Sequence, residues 1–467
     1  MAVTAQGMGK VRGVARAATL ILCAFIALLA IPLFGLDAHA RLQPEQPSEA
    51  PSEIRDFSDW DLNEQGPIRL ETGWRVFRDR LLPPEQLSGA DCRGANSGFP
   101  SERTSLPDVW GPAITTEMSS GHGVATYCID LMLPKSEERL GISIGNLRTI
   151  THITAIYQED EHDHGKIVLI HRNGDPLRAP SAESLNTATP IIVLPYGEER
   201  VRLVVELANY VHKQGGIVET PVVDYYSHLD AQQRRDASLP MALVIVLAMV
   251  SAGSLIIGHL TGNTTRFAIF AFLTAASAFR VFFVSDIIWD YWPSFSLARK
   301  YDFEYLSLFL VLPAYYAFVI MLLGVGKDWF ISRFVYAVSG SFICFSLVAT
   351  PLFGPGTVTL LREPFQLFWI IGGAYIAYVT IKAVIVSKGE KIDAILVLCA
   401  AGMMAGYEFL SAIGLVPFSM EWAQLIILLV TILHARAFAL SFRDVQAERD
   451  GLTKSLVDAN TALEAKA

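Results

Sequence analysis

The chain has 467 residues, 52% of them hydrophobic and 18% charged, with a formal net charge of −9 at pH 7. With a pI near 5.6 and a mean hydropathy of +0.37, it lacks a nucleic-acid footprint and reads as half soluble, half membrane. Five cysteines are too few for a disulfide scaffold.

Lys10, Arg12 and Arg16 precede an apolar run over 17–36 and the small-x-small triplet Ala38-His39-Ala40. That order predicts a secretory signal peptide over 1–40. Its apolar core exceeds the usual roughly 7 to 15 residues, so an uncleaved anchor is the alternative. Both readings put residue 41 onward outside the cytoplasm. Residues 41–52, rich in Pro, Glu, Gln and Ser, read as a disordered leader.

An external domain is expected over 53–235. Short β-branched runs at 124–133, 140–144, 150–157, 166–171, 190–194 and 201–207 follow one another between turn signals and predict a β-sandwich. Cys92 and Cys128 share this domain, and the oxidising compartment permits a disulfide between them. The alternative is a buried free thiol at Cys128 on a strand. Glu159-Asp160-Glu161-His162-Asp163-His164 reads as a polar hairpin tip rather than a metal site. No metal and no cofactor is expected.

Seven apolar stretches follow, at 239–260, 266–284, 305–324, 331–351, 365–386, 394–413 and 422–440. Each approaches the roughly 20 residues that cross about 30 Å of hydrocarbon as a helix. The connections predicted to be cytoplasmic hold Arg266, Lys327, Arg333, Lys388 and Lys391, and the tail adds Arg436, Arg443, Arg449 and Lys454. The outer connections hold Arg299, Lys300 and Arg362. This excess predicts a cytoplasmic C-terminus. Trp289, Tyr291 and Trp292 resemble an interfacial aromatic belt facing membrane lipid. Arg280, Glu304 and Glu408 fall in the outer third of their spans, where Arg280 is expected to pair with one of the two carboxylates, snorkelling being the alternative.

The tail, 441–467, carries a heptad stripe. Phe438, Val445, Leu452 and Ala459 fall on one position, and Phe442, Arg449, Leu456 and Leu463 on the other. This predicts a parallel coiled-coil homodimer, weakened by Arg449 in the stripe and Gly451 in the helix.

Several motifs carry a family resemblance. Gly73-Trp74-Arg75-Val76-Phe77, Leu81-Leu82-Pro83-Pro84, Leu106-Pro107-Asp108-Val109-Trp110-Gly111, Gly123-Val124-Ala125-Thr126-Tyr127 and Leu207-Ala208-Asn209-Tyr210-Val211-His212 with Gly215-Gly216 occur in that order before the spans. They resemble the bacterial 7TMR-DISM receptors, seven-transmembrane receptors with diverse intracellular signalling modules. The resemblance implies a jelly-roll external domain similar to carbohydrate-binding modules, a small-molecule or carbohydrate ligand, and a cytoplasmic output module or signalling partner.

Independently of the family, aromatic faces and hydrogen-bonding side chains that suit a sugar are offered by Trp74, Trp110, Asn209, Tyr210 and His212. For Trp74 and Trp110 a place in the sandwich core is the stronger reading. Asn209, Tyr210 and His212 are expected to project from a loop at the sandwich edge. No nucleotide-binding glycine loop, kinase phospho-acceptor box or cyclase signature occurs within 467 residues, so no catalytic role is expected of them. The reading is a transmembrane sensor. The alternatives are a transporter, and a membrane-anchored carbohydrate-active protein that would use acids such as Asp108 and Asp130.

Overall fold

The computed structural model describes residues 54–87, 92, 100–110, 121–145, 150–157, 166–173, 191–194, 197, 199–210, 212, 215–285, 287–292, 295–324, 329–354, 357–387, 394–399, 402–403, 406–407 and 420–464. The expected signal peptide and leader, the acidic and histidine-rich stretch at 159–164, and Glu408 lie outside them.

Thirteen described strands build three open sheets. They are β1 (Ile54–Asp56), β2 (Ile68–Arg69), β3 (Trp74–Arg78), β4 (Glu102–Thr104), β5 (Asp108–Trp110), β6 (Gly123–Met132), β7 (Leu140–Ser143), β8 (Ile150–Tyr157), β9 (Lys166–Asn173), β10 (Ile192–Val193), β11 (Arg200–Asn209), β12 (Gly215–Ile217) and β13 (Val222–Tyr225). The largest sheet runs β4-β3-β6-β11-β8-β9, with β1 parallel to the end of β6; a second runs β10-β7-β13-β2, and β12 pairs with β5. The strongest pairing joins β6 to β11 antiparallel from Gly123↔Asn209 to Met132↔Arg200.

Alternation sorts the β6 side chains to two faces. Ala125, Tyr127, Ile129 and Leu131 enter a core shared with Ile68, Ile142, Ile192 and Val223 of the second sheet and Trp110 and Ile217 of the small one. Cys128 faces the other way, with Phe77, Ile156 and Val204, under Leu82, Leu87 and Cys92. Both faces of β6 and β11 are therefore covered, so the charges they carry on the second face, Asp130 and Arg202, are buried as a pair.

His171, on the edge strand β9, is held below the usual imidazole range by burial and by nearby His152. The folded state resists its protonation and the unfolded state does not. Stability contributed this way is present above the ordinary pKa of 6.5 and is lost as pH falls through the depressed value. Melting temperatures of the β domain in the full chain are expected to drop between about pH 7.5 and about pH 5.5, a window bracketing that ordinary value. His171→Gln should narrow the drop, and an unchanged drop would exclude His171 as its source.

Two short helices, α1 (Leu62–Gln65) and α2 (Pro84–Leu87), belong to the β domain. The long ones are α3 (Tyr226–Leu260), α4 (Thr264–Val284), α6 (Leu297–Leu323), α7 (Trp329–Phe353), α8 (Arg362–Val386) and α9 (Met420–Glu464), with the single turn α5 (Ile288–Tyr291) before α6. Among the described residues six helices are long and apolar enough to cross a membrane, so this is a multi-pass membrane protein. Six of the seven expected stretches lie on these helices. The stretch at 394–413 lies mostly outside the described residues; the pieces 394–399, 402–403 and 406–407 are helical.

Two boundaries differ from expectation. Helix α3 starts at Tyr226, inside the range assigned to the external domain, because its polar first turns are built of good helix formers and an Asp230–Arg234 ion pair of 2.9 Å. Helix α6 starts at Leu297, two turns before its apolar stretch, with Ser296 accepting a cap hydrogen bond from the Arg299 amide. Pro313 and the Gly372-Gly373 pair do not interrupt α6 and α8.

Candidate functional site

Of the five residues proposed for ligand contact, four are buried. Trp74 and Trp110 are both 0% exposed, so neither offers a face for a sugar, as the core reading held. The Trp74 indole N–H donates to the Leu70 carbonyl at 2.7 Å. That of Trp110 donates to the Tyr127 hydroxyl at 2.9 Å, which donates to Asp108 Oδ2 at 2.7 Å. Trp110 stacks on Tyr127 with centroids 6.5 Å apart, and Trp74 meets the same ring edge-on. Burial and the Asp108 carboxylate push the Tyr127 phenol well above its ordinary range, so it remains a proton donor to Asp108. Arg78 donates to the same Asp108 oxygen at 3.1 Å.

The loop after β11 corrects an expectation. Asn209 and His212 were expected to project from the edge, yet they are 1% and 2% exposed. The Asn209 amide donates to the carbonyls of Gly121 and His212 at 2.6 Å each, and its oxygen accepts from the His212 amide at 3.2 Å. These bonds fold the chain back on itself. Tyr210 is 37% exposed.

The two glycines make this close packing feasible. A Cβ on Gly215 would lie 2.7 Å from the Gly121 carbonyl and 2.8 Å from both Asn209 Nδ2 and Trp110. Gly216 has φ +84° and would drive a Cβ into the Asp108 carbonyl.

His212 leads out of the β domain. Its ring meets Tyr301 of α6 at 5.1 Å, and Ile150 and Ala208 share an apolar cluster with Trp289, Leu297, Tyr301 and Tyr305. Lys300 is 4% exposed and lies over the Trp289 ring at 4.7 Å. Trp289 donates to the Phe295 carbonyl at 2.8 Å. Of the expected aromatic belt, Tyr291 and Trp292 are exposed while Trp289 is part of this joint. A second link is covalent: β13 passes directly into α3, with the Tyr226 amide held by the Arg139 carbonyl at 2.8 Å.

A contiguous column thus runs from the β core to the head of α6, through Trp74, Tyr127, Trp110, Gly215, Asn209, His212 and Tyr301. Sequence reading found its members by residue type but missed Tyr127 and Tyr301. The Ala-Thr-Tyr motif and the run of α6 residues before its apolar stretch were the signals for them.

Cys92 and Cys128 are joined by a disulfide. Beside it Arg202 and Asp130, 2% and 4% exposed, pair at 2.6 and 3.2 Å. Asp108 and Asp130 lie on opposite faces of the large sheet, Asp108 bonded to Tyr127 of the core and Asp130 beside Cys128. They do not form a facing catalytic pair. Arg280 on α4 and Glu304 on α6 are both half-buried. The Arg280–Glu408 alternative lies outside the described residues. No group of three metal-ligating side chains occurs among the described residues.

No model of a known protein family matches the chain, and no curated protein matches it.

Proposed function

We propose that this protein is a transmembrane sensor in which the β domain lies outside the cytoplasm, takes a small-molecule or carbohydrate ligand, and shifts the helices through the column at its base. The carrying observation is the joint: one apolar cluster holds residues of β8, β11 and α6, and the His212 ring rests on Tyr301. A domain tethered by a linker would have no such shared core. The Cys92–Cys128 disulfide supports the external placement, since such bonds persist in oxidising compartments. The uninterrupted α6 and α8 favour a sensor over a transporter, whose sites use broken helices. In this reading the β domain is a jelly roll of the 7TMR-DISM type, 394–413 is a seventh span, the C-terminus is cytoplasmic in a bacterial inner membrane, and an output module or separate partner receives the signal. Tyr210, exposed beside the column, is the ligand-facing residue of the five.

A double-mutant cycle on the full chain tests the joint. His212→Ala and Tyr301→Ala are expected to couple by about 0.5–1.5 kcal/mol, the range of ring pairs. His212→Ala should also raise hydrogen exchange in the first turns of α6. Additive effects, with α6 exchange unaltered, would remove the relay.

A further inference from the structure

Helix α9 runs unbroken from Met420 to Glu464. In its membrane half Phe438 packs on Phe267 and Phe270 of α4, and Phe442 on Phe267. One stripe of the helix is thus used inside the bundle. The same stripe continues at heptad spacing through Val445, Arg449, Leu452, Leu456, Ala459 and Leu463. There it has left the bundle: Leu452 is 59% and Leu456 70% exposed, and residues 451–461 are exposed throughout.

We propose that this continuation is the seam of a parallel two-stranded coil with a second copy of the chain. Three arguments select that occupant. The stripe is a narrow two-in-seven seam, whereas a globular partner needs the broader face of an amphipathic helix. The bilayer holds two copies with their α9 helices parallel and level, so identical heptads meet in register without a search for orientation. A single exposed helix of this length is marginal in water, so burial of its own stripe is what holds it helical. Arg449 in the seam and Gly451 beside it weaken the coil, leaving it dependent on the membrane to hold the copies together. The proposal stands whether or not the β domain binds a ligand.

The test uses the full chain in lipid nanodiscs with Cys23, Cys344 and Cys399 replaced by Ser. Leu452→Cys lies in the seam and Lys454→Cys on the far side of the helix. Oxidation should link Leu452→Cys pairs at least about tenfold faster than Lys454→Cys pairs, as seam geometry requires, and discs loaded with one copy should show no link. Leu452→Asp with Leu456→Asp should raise the dimer dissociation constant at least about a hundredfold, since each copy loses two buried leucines. Circular dichroism and retention of the Cys92–Cys128 bond would report that the rest of the chain remains folded. Equal linking at the two positions, or a dimer that survives the paired aspartates, would overturn the proposal. So would a monomer at every loading whose tail resists proteolysis, an outcome that assigns the stripe to another segment.

Discussion

Asp130→Ala is expected to destabilise the β domain by about 3–5 kcal/mol, the cost of leaving a buried charge without its partner. Arg202 is 2% exposed, and besides Asp130 it donates to the Leu87 carbonyl, so it cannot swing into water without releasing the segment that covers the sheet. The Cys92 amide donates to Asp130 Oδ2 at 3.3 Å, and the disulfide fixes the same segment to β6. Removing the disulfide alone through Cys92→Ser and Cys128→Ser should cost about 2–5 kcal/mol. Because the ion pair and the disulfide hold one segment, their losses should combine to less than their sum. Replacing both partners, Arg202→Met with Asp130→Leu, should restore most of the stability that either single change loses, since no charge is then left buried. Denaturation midpoints of the full chain, followed by near-ultraviolet ellipticity, measure all of these. A double replacement as damaging as Asp130→Ala would show that the pair acts through shape rather than charge.

The long strands β6, β8 and β11 were legible because eight or ten residues rich in β-branched side chains mark a strand even where charges interrupt them. The short ones were not. β2, β5 and β12 have two or three residues each, too few for any period to show, and they depend on partners far along the chain. The spans were legible from composition, whereas their true starts at Tyr226 and Leu297 were hidden by polar residues that obey local helix rules instead of hydropathy. The candidate site was half legible. Aromatic and amide side chains in the right motifs were found, but sequence cannot tell a side chain that faces solvent from one that faces another domain. Asn209 and His212 look polar and loop-like in the sequence. Asn209 is buried because the loop folds back on it through Gly121 and His212, and His212 meets the bundle at Tyr301, some ninety positions away.

Trp110 offers the sharpest test of whether core and joint act together. Trp110→Ala is expected to cost about 3–5 kcal/mol, the usual range for emptying a buried large aromatic site. It also deprives the Tyr127 hydroxyl of its donor and removes the ring over which Gly215 and Gly216 pack. Trp110→Phe keeps an aromatic ring against Tyr127 but loses the indole N–H. Its cost should be smaller, with a part of about 1 kcal/mol from the lost hydrogen bond. If the column is continuous, Trp110→Ala should also loosen what lies beyond it. Asn209 packs against the same glycine, and His212 hangs on Asn209, so amide exchange should rise at Tyr301 and its neighbours at the head of α6. Trp110→Phe should leave that exchange nearly unchanged. A Trp110→Ala protein that melts early while the head of α6 stays fully protected would confine the effect to the β core and disconnect it from the membrane helices.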